Sequence, residues 1–462
     1  MPSLPSSPPL SVAIVGGGPG GLFTAHVLDK VLQRPAAITI MEASSRLGGK
    51  ILTGSFVHGG MRYEAGAAEF YDYSGVDDDP LSTLVAELGL ATVPLSGGAV
   101  MIDGRPVASL EDVRDCRGAG AASALLTFDR AAHDAMTPRE FYAADEFISP
   151  DHVEPVRFDA LLERISEPAA RRYVEWLIHS DLATEPQRTT CSYGLQNYLM
   201  NDPAYMGLYA IPEGNERLIE ALASRISARV LLGQRVEEIG RSADERLQVR
   251  WSHAGASQTE TFDVVVIALP ADQLAALSFA GPVLAAALRQ HLAHHSHPAH
   301  YLRITCLFEQ PFWRAWLRDS FAMLDHFGGC CLYDESLRHP GAASGILGWL
   351  IGGSAAEEMA ELTDQELVDA ALDSLPSQLQ QGRSGLIESR VHRWCSAVSA
   401  MPGGPWRLPI DRRHQPEPAE HPGLFLVGDY LFDSTLNGTL DSATHVAEWI
   451  AELAATTGRP RP

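Results

Sequence analysis

At 462 residues, with 45% hydrophobic and 20% charged side chains, the chain is neither disordered nor a single core. Two domains are expected, since a domain usually runs to about 100–200 residues. The net charge of −23 argues against nucleic acid or an anionic membrane as partner, because both need clustered Lys and Arg; a small molecule is favoured.

Residues 1–10, MPSLPSSPPL, lack a basic region and an apolar core, so they read as a disordered tail rather than a signal peptide. No later run approaches the ~20 apolar residues of a membrane helix. Residues 11–15 read as an apolar strand. Gly16, Gly18 and Gly21 then spell G-x-G-x-x-G, an amphipathic helix runs to about residue 32, and a second strand over 37–41 ends at Glu42. In a dinucleotide fold Gly16 permits the tight turn, Gly18 admits a pyrophosphate to the backbone, and Gly21 lets helix pack on strand. The helix N-terminus faces the phosphates and Glu42 accepts from ribose hydroxyls.

Residues 72–205 read as helices and loops, an inserted domain. Nucleotide-fold patterning returns with a helix in IPEGNERLIEALASRI, strands in RVLLGQRVEEIG and LQVRW, and the apolar strand FDVVVIALP. Residues 271–412 form a second inserted block with a strand over 301–308 and the helix TDQELVDAALDSL. The chain closes with the strand LFLVGDY and a helix in LNGTLDSATHVAEWIAELAA, capped by Asn437 or Ser434. The six cysteines lack metal spacing, which leaves a reducing cytoplasm as the default; adjacent Cys330 and Cys331 read as buried apolar filler. His291, His294, His295, His297 and His300 lack companion acids at ligand spacing and read as a partly exposed helix end and loop, not a metal site.

Four segments together resemble the flavin-containing amine oxidase superfamily of monoamine, polyamine and L-amino acid oxidases. The glycine motif joined to Glu42, Ala43, Arg46, Gly48, Gly49 and Lys50 is similar to the family's E-A-x-x-R-x-G-G-R signature. Glu64-Ala65-Gly66-Ala67 is similar to the loop that passes the flavin ring. The Val236 strand, followed by DVVVIALP, falls where the family places backbone contacts to adenine. Gly428-Asp429, with Asn437-Gly438-Thr439 opening the last helix, is similar to the family's closing segment, whose helix dipole faces the flavin pyrimidine.

The resemblance implies an α/β fold in which a Rossmann-like FAD-binding domain (11–71, 206–270 and 413–455) interleaves with an α+β substrate domain (72–205 and 271–412) bearing a helical insertion. It also implies FAD as cofactor, held non-covalently because Pro405 stands where monoamine oxidases attach flavin through cysteine. The implied partners are a small-molecule substrate and dioxygen, with a homodimer among the assembly options.

Departures from the family bear on substrate. L-amino acid oxidases read E-A-G-A-M-R at the flavin loop, the arginine clamping a carboxylate, whereas here Glu69 takes that place. An acid reverses the charge preference, so Glu69 is the candidate for holding a cationic or hydrogen-bond-donating nitrogen. Arg303 stands where many members carry a lysine ten residues before the tryptophan of an F-W pair, here Trp313; it is the candidate for facing the flavin and binding a substrate oxygen. Trp406 is the candidate aromatic-cage residue; the second cage position falls on Thr435, with Tyr430 or Phe432 as substitutes. The expected function is oxidation of a C–N bond by hydride transfer to flavin, giving an imine and, with O2, hydrogen peroxide. Rival expectations are oxidation of an amide or N-acyl nitrogen in secondary metabolism, a desaturase or protoporphyrinogen-oxidase-like reaction, and a non-catalytic protein like the GDP-dissociation inhibitors.

Overall fold

The computed structural model describes residues 9–33, 35–142 and 156–457. The chain divides into two compact units, one of residues 1–51, 218–297 and 402–462, the other of residues 52–217 and 298–401.

In the first unit five parallel strands lie in the order Arg229–Leu232, Ala36–Glu42, Leu10–Val15, Val264–Ile267, Leu424–Leu426. Strands covered on both faces must be apolar throughout, and Val12, Ala13, Ile14, Val265, Val266 and Ile267 have no exposed surface. Helices Pro19–Val31 and Leu436–Thr457 pack on each other; a Cβ at Gly20 would lie 3.2 Å from Val427 and 3.5 Å from Thr439, so the missing side chain sets their approach. Ala13, Val15, Ile267 and Leu426 pack instead toward Ile239, Val249 and Trp251 of a four-stranded sheet and toward Leu284 and Leu288 of helix Pro282–His295.

The second unit is built on a seven-stranded sheet in the order Leu386–Ser399, Pro298–Phe308, Gly345–Gly352, Cys330–Asp334, Phe321–Leu324, Val100–Ile102, Arg105–Val107. Leu302, Ile304 and Trp349 meet helix Asp364–Asp373 through Leu367, Val368 and Ala371. Met323, Cys331 and Tyr333 meet helices Leu110–Ala135 and Pro168–Leu182. Alternation along Pro298–Phe308 therefore turns Arg303 away from the Leu302 and Ile304 side.

Several expectations need correction. Most of the expected tail lies outside the described residues, and Leu10 already belongs to the first strand, opposite Ala36. Residues 72–205 are not only helices and loops: Val93–Leu95, Val100–Ile102 and Arg105–Val107 are strands. The last two form a hairpin about Asp103 and Gly104, at φ 52° and 75°, the left-handed pair that an Asp-Gly turn favours. Residues 52–71 and 206–217 belong to the second unit, where Thr53–Ser55 pairs with Arg62–Glu64 and Phe70–Asp72 with Gly207–Ala210. Residues 271–297 and 402–412 belong to the first, joined to it by Ser278–Phe279 pairing with Arg235–Arg241 and by the Gly403 N–H donating to the Tyr430 carbonyl.

Candidate functional site

In the first unit the glycine turn is built around close approaches. Gly16 has φ +109°, and a Cβ there would lie 2.5 Å from the Ala268 carbonyl oxygen; a Cβ at Gly21 would lie 2.0 Å from the Gly16 carbonyl oxygen. Helix Pro19–Val31 starts at Gly18 with no side chain capping it, so its N-terminal amides stay available to an anion. A second loop faces them: Gly49, at φ +52°, would place a Cβ 3.2 Å from the Gly18 Cα, and Gly48 donates to the Gly17 carbonyl at 2.8 Å. Both loops would close on a side chain and stay open only as glycines, a cradle that fits a dinucleotide pyrophosphate.

Glu42 ends its strand with both oxygens anchored, accepting from the Gly17 amide at 2.8 Å and the Ser44 amide at 2.7 Å. That fixes the carboxylate and leaves further lone pairs for ribose hydroxyls. The turn before Val236 is joined to the same place, since Gly233 donates to the Ser44 carbonyl and Gln234 to the Glu42 carbonyl. Ala43 follows directly, and Arg46 folds back to donate to the carbonyls of Leu47, Ile51 and Gly49, so it shapes the loop. Lys50 stands 3.5 Å from Asp429, which begins the turn after Gly428.

At the last helix the cap is Thr435, not Asn437 or Ser434: its hydroxyl accepts from the Gly438 amide and its carbonyl from the Thr439 amide and hydroxyl. Thr435 is thus occupied in the turn and supplies no cage face. Tyr430 is buried beside His291 and His295, and the Arg413 guanidinium lies 4.8 Å over Phe432, so neither ring is an open face. Trp406 is half-buried; His294 donates to its carbonyl at 2.9 Å and packs on its ring.

Of the five histidines, His294, His297 and His300 are part-exposed at the helix end and in the following residues, as expected, but His291 and His295 are buried. His291 and His295 lie on the buried stripe of helix Pro282–His295 with Leu284 and Leu288, their rings 4.4 Å apart. Burial pushes His291 down to about 3 and His295 well down, so both stay neutral in the fold. The unfolded chain protonates them below the ordinary value of 6.5. Stability from these groups is therefore complete above that pH and is lost as pH falls toward 3. Melting temperature measured across this range is expected to fall less steeply for His291→Leu than for the parent; identical slopes would contradict the assignment.

In the second unit the loop from Glu64 to Glu69 is held by its carbonyls. Arg303 Nε donates to Glu64 O at 2.5 Å, Trp394 Nε1 to Ala65 O at 2.6 Å, Asn215 Nδ2 to Ala67 O at 2.9 Å, and Arg338 Nη2 to Ala68 O at 2.6 Å. Gly66 donates to the Leu52 carbonyl. The Glu64 side chain, wholly buried, accepts from the Asn215 amide and pairs with Arg338 at 3.3 Å; burial nonetheless pushes its carboxyl up to about 7.

Arg303 is fully buried, which removes a solvated-face explanation, but its main partners are not those expected. Nη2 pairs with Glu335, Nε holds the loop, and the guanidinium lies 5.0 Å from the Tyr333 ring centroid. Only Nη1 lacks a partner among the described residues. It is first a clamp of the loop. Glu69 accepts from the Tyr333 hydroxyl at 2.7 Å, and burial raises its pKa. Sequence reasoning missed Asn215, Glu335, Arg338 and Tyr333; for the last three the available signal was the passage YDESLR, where Asp334, Glu335 and Arg338 follow the apolar start of a strand.

The family model described as flavin containing amine oxidoreductase matches residues 19–451. A Mycobacterium tuberculosis protein named as a flavin-containing monoamine oxidase, AofH, is 25% identical over 430 residues, covering 87% of this chain and 86% of that one. Among solved structures, cyclohexylamine oxidase from Brevibacterium oxydans superposes with TM-score 0.75 at 19% identity, over 97% of this chain and 100% of that one. An Exiguobacterium protein named as a protoporphyrinogen oxidase gives TM-score 0.70 at 17% identity, over 96% and 99%. These two likenesses establish the fold. Among the described residues no helix is long and apolar enough to cross a membrane.

Proposed function

The chain belongs to the flavin containing amine oxidoreductase family and is an FAD-dependent oxidoreductase, and from that premise we propose that it oxidises a C–N bond of an amine or amino-acid-derived substrate. When bound, FAD supplies hydride acceptance from the carbon next to nitrogen and passage of the electrons to dioxygen, with imine and hydrogen peroxide as products.

The chain's residues supply position and charge. The Gly16–Gly21 turn, Gly48, Gly49 and Glu42 would hold the nucleotide, with the Lys50–Asp429 pair and the amides opening the last helix available to the rest of the cofactor. Gly66 and Ala67 belong to a strip that cannot shift, because each neighbouring carbonyl has its own donor. Glu69 takes the nitrogen. The observation that carries this reading is an acid in the strip, oriented by the Tyr333 hydroxyl, where an α-amino acid oxidase needs a guanidinium.

The test is anaerobic bleaching of the purified holoprotein by a panel of amines, amino acids and N-acyl compounds. Cationic amines are expected to bleach the flavin band, and peroxide to appear on admitting air. Bleaching by N-acyl compounds alone, or by none of the panel, would overturn the reading. Acid precipitation should release the yellow chromophore, since Pro405 offers no thiol; colour retained on the pellet would refute non-covalent attachment.

A further inference from the structure

Arg303 is wholly buried, yet its Nη1 has no partner among the described residues, and an unmet buried donor is costly. The side chain lines a cavity. This space of about 120 Å³ lies within the second unit, between strand Val93–Leu95, Ser320 and the passage from Tyr333 to Arg338. Val93–Leu95 is the edge of a three-stranded sheet, and Pro94, exposed in its middle, marks the side open to solvent. Ser320 is set in place by its backbone: its amide donates to the Ser96 carbonyl at 2.8 Å and its carbonyl accepts from the Asp334 amide at 2.8 Å. Its hydroxyl accepts from the Ser96 amide at 3.3 Å and has no acceptor for its own proton among the described residues.

Size and polarity narrow the occupant. A cavity of about 150 Å³ takes a benzene ring, so this one has room for roughly five heavy atoms. Its wall presents donors in Arg303 Nη1 and the Ser320 hydroxyl, and carboxylate lone pairs in Glu335 and Asp334. Glu335 already accepts from Arg303 Nη2 and the Glu64 amide, and Asp334 from the Ser336 amide, but a carboxylate has sites for further donors. Ala68, Val93, Leu95 and the Tyr333 ring supply an apolar flank. An incoming anion would find the Arg303 charge matched by Glu335, the Arg338 charge matched by Glu64, and the Asp334 carboxylate beside them; it would be repelled. A hydrocarbon would leave Nη1 unmet. Both sets of groups are satisfied by a neutral molecule with an acceptor oxygen and N–H donors on one carbon, a short primary carboxamide.

We propose that this cavity binds a short neutral carboxamide, its oxygen on Arg303 Nη1 and the Ser320 hydroxyl and its nitrogen on the carboxylates, and that the loop Glu64–Glu69 responds to its binding. The coupling runs through hydrogen bonds. Glu335 accepts from the Glu64 amide at 2.7 Å, Arg303 Nε donates to the Glu64 carbonyl at 2.5 Å, and Arg338, also on the lining, donates to the Ala68 carbonyl at 2.6 Å. A ligand that fixes Arg303 and Glu335 therefore fixes both backbone groups of Glu64. Binding alone is involved, no bond forms or breaks, and the inference does not depend on the C–N oxidase reading.

The experiment titrates the purified holoprotein with propionamide, and with propionate as its anionic isostere, following binding by calorimetry and the loop by hydrogen exchange. Propionamide is expected to bind saturably at one site with a dissociation constant on the order of 1 mM, about tenfold or more tighter than propionate, and to slow exchange across residues 64–69. Ser320→Ala, which removes one donor, is expected to weaken binding about threefold to tenfold. Val93→Phe, which places a ring in the space, is expected to abolish it, with flavin content and melting temperature checked for both variants. Absence of saturable binding to the parent, or equal binding of propionate, would overturn the proposal whatever the variants do. So would propionamide affinity that Val93→Phe leaves unaltered, or loop exchange that ignores a saturated site. None of these readouts involves turnover, so their failure leaves the C–N oxidase reading standing.

Discussion

Gly21→Val is expected to give a folded protein that purifies without flavin. A Cβ at this position would lie 2.0 Å from the Gly16 carbonyl oxygen and 3.2 Å from Ile14 Cγ2. The oxygen cannot retreat, because Gly16 is held at φ +109° against the Ala268 carbonyl, so helix Pro19–Val31 must lift from the strand and carry its N-terminal amides away from the phosphates. Overpacking of this kind costs about 1–3 kcal/mol, and loss of the anion cradle adds its own penalty in affinity. The readout is the ratio of flavin absorbance to protein absorbance, expected to fall by about tenfold or more. Gly120→Ala, in a helix where among the described residues a Cβ would meet only Glu167 Oε2, at 3.8 Å, should keep its colour. Full flavin content in Gly21→Val would mean the turn does not set the helix position.

Arg303→Ala is expected to destabilise the second unit by about 3–5 kcal/mol, the usual consequence of leaving one member of a buried ion pair alone. Glu335, 2% exposed, would lose its counter-charge, the Glu64 carbonyl its donor, and the Tyr333 ring its cation. Arg303→Lys keeps charge but not the fork that reaches Glu335 and the carbonyl at once, so it should fall between. Denaturant unfolding of the two variants and the parent measures this. An Ala variant within about 1 kcal/mol of the parent would show that the clamp is dispensable.

The nucleotide half of the molecule was legible because its signals are local. Gly16, Gly18, Gly21 and Glu42 lie within one strand-turn-helix-strand passage, and at Gly16 and Gly21 the close backbone approach admits no side chain. The short strands Val100–Ile102 and Arg105–Val107 were readable in principle from the Asp103-Gly104 pair between apolar residues, but three-residue strands carry too little alternation to outweigh the helices around them. How the loop is clamped was not legible. Arg303, Trp394, Asn215 and Arg338 come from four separate parts of the chain and meet only once the second unit has folded. Arg303 was found by analogy with a lysine, but sequence spacing places a residue on a strand face and does not reveal its pairing with Glu335. The buried histidines follow the same logic: 284, 288, 291 and 295 share one helical stripe, and that periodicity outweighs their polarity.

The interleaving of the units also bears on synthesis. Strand Val264–Ile267 pairs on one side with Leu10–Val15 and on the other with Leu424–Leu426, whose residues leave the ribosome long after it. Until then a wholly apolar edge, Val264 to Ile267, has open backbone donors and acceptors on one flank and no covering final helix. A nascent chain paused before residue 424 therefore presents a template for pairing with a neighbour on the same polysome, which makes early engagement by a holdase chaperone a natural requirement of this topology.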